Sequence, residues 1–261
     1  MKPDYKNWMP KGMIWSFAAA FALFAAGLIL SLCLLPGGTL KTVLGIVFAL
    51  AAAIFLDLSV WSIMMYRAFS YDGKRQMSRQ IIEGVADCVK LPAGGRGLDV
   101  GCGSGALAIA CAKRNPGASF VGLDRWGKEY ASFNKPLCEA NARAEGVRNT
   151  SFRQGDALAL DFPDETFDAV TSNYVYHNIP SQDRQAILLE TLRVLKKGGI
   201  FALHDIFSRA RYGDMQAFVQ KLRTMGYERV ELIDTTQNLF MSPSEAKWMA
   251  LSGSTLLVGK K

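Results

Sequence analysis

The sequence has only two histidines and five cysteines in 261 residues, and the cysteines, at 33, 88, 102, 111 and 138, form no CxxC pair and no metal-ligand spacing. That excludes a zinc-ribbon module and a disulfide framework, and it is the cysteine usage of a reducing cytoplasm. No metal site is expected. A basic excess is also lacking over most of the chain. Residues 1–80 hold 8 of the 30 Lys and Arg and 3 of the 23 Asp and Glu, leaving 22 basic and 20 acidic residues beyond them. So balanced a region lacks the electrostatic footprint of a nucleic-acid binder, and no nucleic-acid partner is expected. Internal repeats are absent.

Charge itself is missing from two stretches. Residues 13–35 carry none, and residues 42–66 carry only Asp57. Each is long enough to span a bilayer. The short polar turn Pro36-Gly37-Gly38-Thr39-Leu40-Lys41 separates them, which predicts a transmembrane helical hairpin. Trp8, Trp15, Trp61 and Tyr66 sit near the ends, where interfacial aromatics belong. Lys2, Lys6 and Lys11 precede the first span and Arg67, Lys74, Arg75 and Arg79 follow the second, against Lys41 in the turn. The positive-inside rule then puts both termini and the remainder of the chain in the cytoplasm of an integral membrane protein. A cleaved signal peptide does not suit so long a run followed at once by another. Asp57 reads either as a helix contact or as a carboxylate near the interface.

The expected organisation is a hairpin over residues 1–70, an amphipathic linker helix over 71–96 and a globular domain over 97–261. Met77, Ile81, Ile82, Val85 and Val89 recur at helical spacing in the linker. Their apolar side can cover the domain or lie on the bilayer, and the acidic residues beside them favour the domain. Leu91-Pro92-Ala93-Gly94-Gly95 breaks the chain before the first strand.

Beyond that break stands Leu98-Asp99-Val100-Gly101-Cys102-Gly103-Ser104-Gly105, an apolar strand running into three alternate glycines and a helix. Glycines at such a turn permit positive φ and close ligand approach, while the N–H groups opening the helix supply donors. Strands are predicted over 97–100, 119–123, 150–153, 167–172, 200–205, 229–234 and 254–258. Helices are predicted over 105–114, 128–144, 182–195 and 214–225, with Pro136 kinking or delaying the second and Ser181 capping the third. This alternation is the mark of an α/β, doubly wound sheet.

Two cofactors fit the glycine turn. Gly101-x-Gly103-x-x-Ala106 with Asp124 further on satisfies the loose dinucleotide fingerprint, which suits NAD as well as another adenosine compound. The later strands separate them. Gly155-Asp156-Ala157 ends the third, Phe167-Asp168-Ala169-Val170-Thr171-Ser172-Asn173 forms the fourth, and Leu195-Lys196-Lys197-Gly198-Gly199-Ile200 turns into the fifth. This succession resembles the class I S-adenosylmethionine-dependent methyltransferases from about Gly97 onward, which implies a Rossmann-like, seven-stranded methyltransferase domain behind the hairpin. The turn also lacks a phosphate-binding lysine, and acidic residues facing a ligand would oppose a pyrophosphate.

The resemblance implies S-adenosyl-L-methionine as cofactor and S-adenosyl-L-homocysteine as product. Asp99, Gly101, Cys102, Gly103 and Gly105 would border the methionine part, with Asp99 near its ammonium. Asp124 would hold the ribose hydroxyls with Arg125 beside it, Trp126 would cover an adenine face, and Asp156 and Ala157 would meet the adenine edge. Asn173 would face the transferable methyl. Apart from the resemblance, Asp99 and Asp168 also read as helix-capping carboxylates, and Cys102 as a small residue tolerated in a tight turn.

Methyl transfer from a sulfonium is an in-line displacement that needs alignment, exclusion of water and, for a protonated acceptor, a base. The candidate catalytic residues are His177, Tyr176, Asn173 and His204, with His177 the first choice for base. Either histidine can instead be a structural hydrogen-bonder, and Tyr174 and Tyr176 either line an acceptor pocket or pack beneath the loop. The hairpin points to a small, lipophilic, membrane-partitioned acceptor. It also makes a second copy of the chain a candidate partner. A non-catalytic membrane sensor binding the same cofactor, or an NAD-dependent oxidoreductase, would share many of these features.

Overall fold

The computed structural model of the chain describes residues 2–127, 132–181 and 183–261. Contacts divide it into two units, Asn7–Gln76 and a larger one in which Met77–Lys261 is joined by the segment ending at Lys6.

The smaller unit is a helical hairpin of α1 (Lys11–Leu34) and α2 (Thr39–Phe69), both long and apolar enough by length and composition to cross a membrane. α1 starts two residues before the expected span 13–35 and stops one short of its end, whereas α2 overruns 42–66 by three residues at each end. At about 1.5 Å per residue α2 is roughly 46 Å long, against about 30 Å of bilayer hydrocarbon. The two helices meet through small and aromatic residues. A Cβ on Gly27 would touch the Phe48 ring at 3.3 Å, and Phe24 stacks on Phe55 at 5.4 Å. Ala52, Ser59 and Ser62 are buried, and the two serine hydroxyls return to carbonyls of their own helix. Leu50, Ile54 and Ile46 face outward instead. That distribution inverts a water-soluble helix pair and matches the packing of helices whose surroundings are as apolar as their side chains.

The larger unit is built on one sheet in the order β3-β2-β1-β4-β5-β7-β6. β1 (Arg96–Val100), β2 (Ser119–Asp124), β3 (Thr150–Gln154), β4 (Phe167–Asn173) and β5 (Leu195–Ile206) run parallel, while β7 (Ser254–Lys260) lies antiparallel between β5 and β6 (Arg229–Asp234). All seven predicted strands are present. Alternate residues Leu98 and Val100 face a core shared with Val170, Leu203 and Leu257 and with the helices α6 (Arg184–Arg193) and α8 (Met215–Thr224). Across the sheet, α3 (Met77–Asp87) buries Ile81, Ile82 and Val85 and packs on α4 (Ala106–Arg114), β4 and β5. The linker helix therefore covers the domain. α5 (Lys135–Ala144) completes that side, and the short α7 (Arg209–Tyr212) and α9 (Pro243–Trp248) add to the expected helices.

Several boundaries differ from expectation for local reasons. α5 starts at Lys135 with Asn134 as N-cap and Pro136 in its first turn, so the proline delays the helix; residues 128–131 of the predicted span lie outside the described residues. α6 is capped by Asp183, whose side chain accepts from the Ala186 N–H, rather than by Ser181; residue 182, its predicted first residue, also lies outside them. β5 begins at Leu195 because Gly198, at φ +75°, turns the Lys196-to-Gly199 segment into a bulge inside the strand. Asp168 caps no helix. It pairs with Lys196 Nζ at 2.8 Å and accepts from the Arg96 N–H, tying β4 to β5 and β1.

One element has no signal in the sequence at all. Asp4 exchanges hydrogen bonds with the side chain of Asn141 on α5, its N–H at 2.7 Å from Oδ1 and its carbonyl 3.1 Å from Nδ2. The Tyr5 hydroxyl donates to Glu145 at the end of the same helix. Asn141 is wholly buried, and its Nδ2 also reaches the Ser104 carbonyl in the glycine turn at 3.0 Å.

Candidate active site

β1 lies between β2 and β4, where the strand order reverses, and open α/β sheets bind ligands at the carboxyl ends of their strands at such a point. The glycine turn leaves β1 there. Gly101, Gly103 and Gly105 take φ of +74°, +54° and +82°. At Gly101 a Cβ would lie 2.3 Å from Val175 Cγ2, so this position admits no side chain. At Gly103 the nearest atom would be Phe133 Cδ2 at 3.8 Å, and the missing side chain leaves room.

Asp124, at the end of β2, holds this turn. One carboxylate oxygen accepts from the Gly103 N–H at 2.8 Å and the other from the Trp126 N–H at 2.7 Å. The Trp126 indole N–H donates in turn to the Gly103 carbonyl at 2.9 Å. Asp124, Trp126 and Gly103 thus form one hydrogen-bonded group. Arg125 is exposed beside it, and its carbonyl accepts from the Gln154 side chain. At the end of β3, Asp156 is exposed and accepts from the Leu158 N–H, while Ala157 is buried; among the described residues, no hydrogen bond joins them to the turn. Cys102 is buried, and that burial pushes its thiol well above the usual range, so it carries no thiolate.

Asp99 lies on β1 facing α4, wholly buried. Its Oδ1 accepts from Thr171 Oγ1 at 2.9 Å, whereas Oδ2 has no hydrogen-bond partner of good geometry among the described residues. Burial raises its pKa to about 7. It caps no helix. An incompletely satisfied carboxyl is a ready partner for a cationic group.

The segment after β4 turns at Tyr174, φ +55°, into a 3₁₀ turn over Tyr176–Asn178. Asp205 on β5 organises it. Its Oδ2 accepts from the N–H groups of Tyr176 and His177 at 2.8 and 3.2 Å, and its Oδ1 lies 2.5 Å from His177 Nδ1. Arg184 clamps the same segment through the carbonyls of Tyr176, Ile179 and Ser181, and Arg211 through that of His177. With Nδ1–H donating to Asp205, the Nε2 of His177 keeps a lone pair and makes no hydrogen bond to a described residue. His177 is the one predicted base so placed.

The other predicted catalytic residues are placed differently. Tyr176 is wholly buried, its hydroxyl 3.0 Å from Thr191 Oγ1, so it packs beneath the loop rather than lining a cleft. His204 is also wholly buried, with Nδ1 2.8 Å from the Asn173 side chain and Nε2 3.0 Å from Thr235 Oγ1. Burial lowers its pKa to about 4, and with both nitrogens engaged it is a structural hydrogen-bonder rather than a base. Tyr174 is held by Ser254 through its hydroxyl at 2.8 Å, and Asn173 stays partly exposed at the end of β4. Sequence reasoning gives no role to Asp205, Thr171 or Thr235, which acquire theirs through register: Asp99 pairs with Thr171, and Asn173 with His204.

These residues fit S-adenosylmethionine. The space at Gly103 admits close approach to the turn, Asp99 offers an unsatisfied oxygen to an ammonium, and Asp124 retains acceptor capacity for hydroxyls.

A family described as a methyltransferase domain matches residues 98–203. A demethylmenaquinone methyltransferase of Lactobacillus johnsonii is 37% identical over 112 residues, 42% of this chain and 43% of that protein. The 27-O-demethylrifamycin SV methyltransferase of Amycolatopsis mediterranei is 29% identical over 151 residues, 58% of this chain and 53% of that protein. The chain therefore spans about half the length of these curated relatives. Among solved structures, the (4+2) cyclase SpnF superposes with a TM-score of 0.54 at 21% identity, covering 74% of this chain and 85% of that one. A shared fold does not fix the reaction.

Proposed function

We propose, on the premise that residues 98–203 belong to a class I S-adenosylmethionine-dependent methyltransferase domain, that the chain methylates a small lipophilic acceptor at a membrane surface. The observation that carries the reading is the His177–Asp205 pair at the carboxyl ends of β4 and β5, in the same sheet margin as the glycine turn.

When bound, S-adenosylmethionine supplies a methyl group on a sulfonium, whose displacement leaves the bonding electrons on sulfur as the thioether S-adenosylhomocysteine. Asp99, Gly101, Cys102, Gly103 and Gly105 would border its methionine part, Asp124, Arg125 and Trp126 its ribose and adenine, and Asp156 with Ala157 the outer adenine edge. His177 Nε2 takes the proton that the acceptor gives up as its new bond to the methyl carbon forms. Asp205 stabilises the resulting imidazolium and keeps the ring in the tautomer that leaves Nε2 free. Asn173 stands toward the acceptor.

The hairpin supports the choice of acceptor. In this reading the hairpin is an anchor whose basic flanks lie inside, with both ends and the domain cytoplasmic, where an acceptor dissolved in the bilayer is concentrated near the enzyme. The relatives named for demethylmenaquinone suit a quinol-like molecule of this kind. The hairpin also offers a face for pairing with a second copy of the chain.

The test is the full-length protein in membranes with methyl-labelled S-adenosylmethionine. Label is expected in the lipid extract and is lost in Asp124→Ala and His177→Ala. Binding of S-adenosylhomocysteine without any labelled product would favour a sensor instead, and a rise in Tm with NAD but not with S-adenosylhomocysteine would overturn the cofactor.

A further inference from the structure

His204 is an uncharged ring in a closed pocket, with Tyr174 at 4.7 Å and the Phe240 edge contact at 5.4 Å between ring centres. A neutral imidazole carries one N–H, and its neighbours decide which nitrogen holds it. Nε2 meets Thr235 Oγ1 at 3.0 Å, and that hydroxyl lies 2.9 Å from the Ser254 carbonyl oxygen. Nδ1 lies 2.8 Å from the Asn173 carboxamide, at the end placed as Oδ1. The two ends of a carboxamide have the same shape, so hydrogen bonding decides which is oxygen.

Thr235 has one hydroxyl proton to place. If it goes to Nε2, the Thr235 and Ser254 oxygens face each other at 2.9 Å with no proton between them. If it goes to Ser254, Nε2 must be the donor, and Nδ1 becomes a lone pair that only an N–H can meet. Only the second arrangement puts a proton in all three gaps, and a buried network left one bond short is costly. In it the Asn173 amino group faces His204. The other end of the carboxamide makes no hydrogen bond to a described residue and lies at the carboxyl end of β4, close in sequence to Val175, which abuts the glycine turn.

We propose that the chain Asn173, His204, Thr235 and Ser254 holds the Asn173 carboxamide with its oxygen toward the cleft, where it accepts a hydrogen bond from an acceptor molecule bearing an O–H or N–H. His204 and Thr235 are then positioning residues, and Asn173 selects hydroxyl or amine acceptors over those with nothing to donate. The selection rests on the methyl-transfer reading; the orientation does not.

The test is the histidine tautomer in the full-length, nitrogen-isotope-labelled protein, where only two histidines need assigning. His204 is expected to carry its proton on Nε2, with a scalar coupling across the hydrogen bond between Asn173 Nδ2 and His204 Nδ1. Asn173→Asp can only accept, so it must draw the proton to Nδ1, and the two proteins should show opposite protonation at that nitrogen. Protonated Nδ1 in both overturns the orientation. For selection, Thr235→Val should raise KM for a prenylated naphthohydroquinone by roughly fivefold to tenfold, the loss of one hydrogen bond, with kcat little changed. An unchanged KM overturns the selection. Absence of turnover in the unsubstituted protein counts against methyl transfer, and the tautomer pair still decides the orientation.

Discussion

His177 Nδ1 and Asp205 Oδ1 stand 2.5 Å apart because β4 and β5 are parallel neighbours and the 3₁₀ turn after β4 folds back over the end of β5. The same carboxylate takes two backbone N–H groups of that turn, so one residue sets both the loop and the imidazole.

Asp205→Asn should therefore affect rate and stability together. Loss of the base pair lowers kcat by about 10²- to 10⁴-fold for an acceptor that must lose a proton. Acceptors already ionised in solution should lose far less. Urea denaturation should show a cost of about 1–3 kcal/mol for the buried hydrogen bonds.

Asp124→Ala removes the acceptor for the Gly103 and Trp126 N–H groups as well as the proposed ribose contact. Calorimetry with S-adenosylhomocysteine should show binding weakened by at least about tenfold, the equivalent of one charge-assisted hydrogen bond. Asp124→Asn should fall between, since it keeps one acceptor oxygen.

Gly101→Ala combines positive φ with a Cβ 2.3 Å from Val175 and should cost more than about 2 kcal/mol. Gly146→Ala is the control. Its φ is +70° with nothing within 4 Å, so conformational strain alone, about 1 kcal/mol, is expected.

Asp99 gives a pH dependence of definite sign. Its pKa is raised from 3.8 to about 7, so between those values the folded chain keeps a proton that the unfolded chain has released. Stability falls as pH rises through that window and levels off above it, by at most about 4 kcal/mol. Asp99→Asn, which cannot ionise, should flatten the curve of unfolding free energy against pH. If the ionised form meets the cofactor ammonium, S-adenosylhomocysteine should bind more tightly toward pH 8.

The sheet is legible in the sequence because apolar runs such as those around Val100 and Val170 are set by burial on both faces, and the glycine turn because positive φ restricts the residue type. Asp205 is not. Its importance comes from pairing across β4 and β5, which no local pattern encodes. Tyr176 and His177 are adjacent in sequence, yet the tight turn buries one ring wholly and leaves the other partly exposed. His204 looks like a base by residue type, and only its enclosure by Tyr174, Phe240 and Thr235 removes it from that role. The bond from Asp4 to Asn141 joins residues 137 positions apart and has no signal in composition or periodicity.

That bond changes how the chain can be dissected. Because the segment through Lys6 belongs to the larger unit while Asn7–Gln76 does not, the hairpin is topologically an insertion into the domain rather than a leader in front of it. Cutting before Met77 would discard the segment carrying Asp4 and Tyr5, strip Asn141 of two hydrogen bonds and loosen the Ser104 carbonyl it steadies. Excision of Asn7–Gln76, with Lys6 spliced through a flexible linker to Met77, retains those contacts, so comparing the two versions separates the loss of the anchor from the loss of the brace.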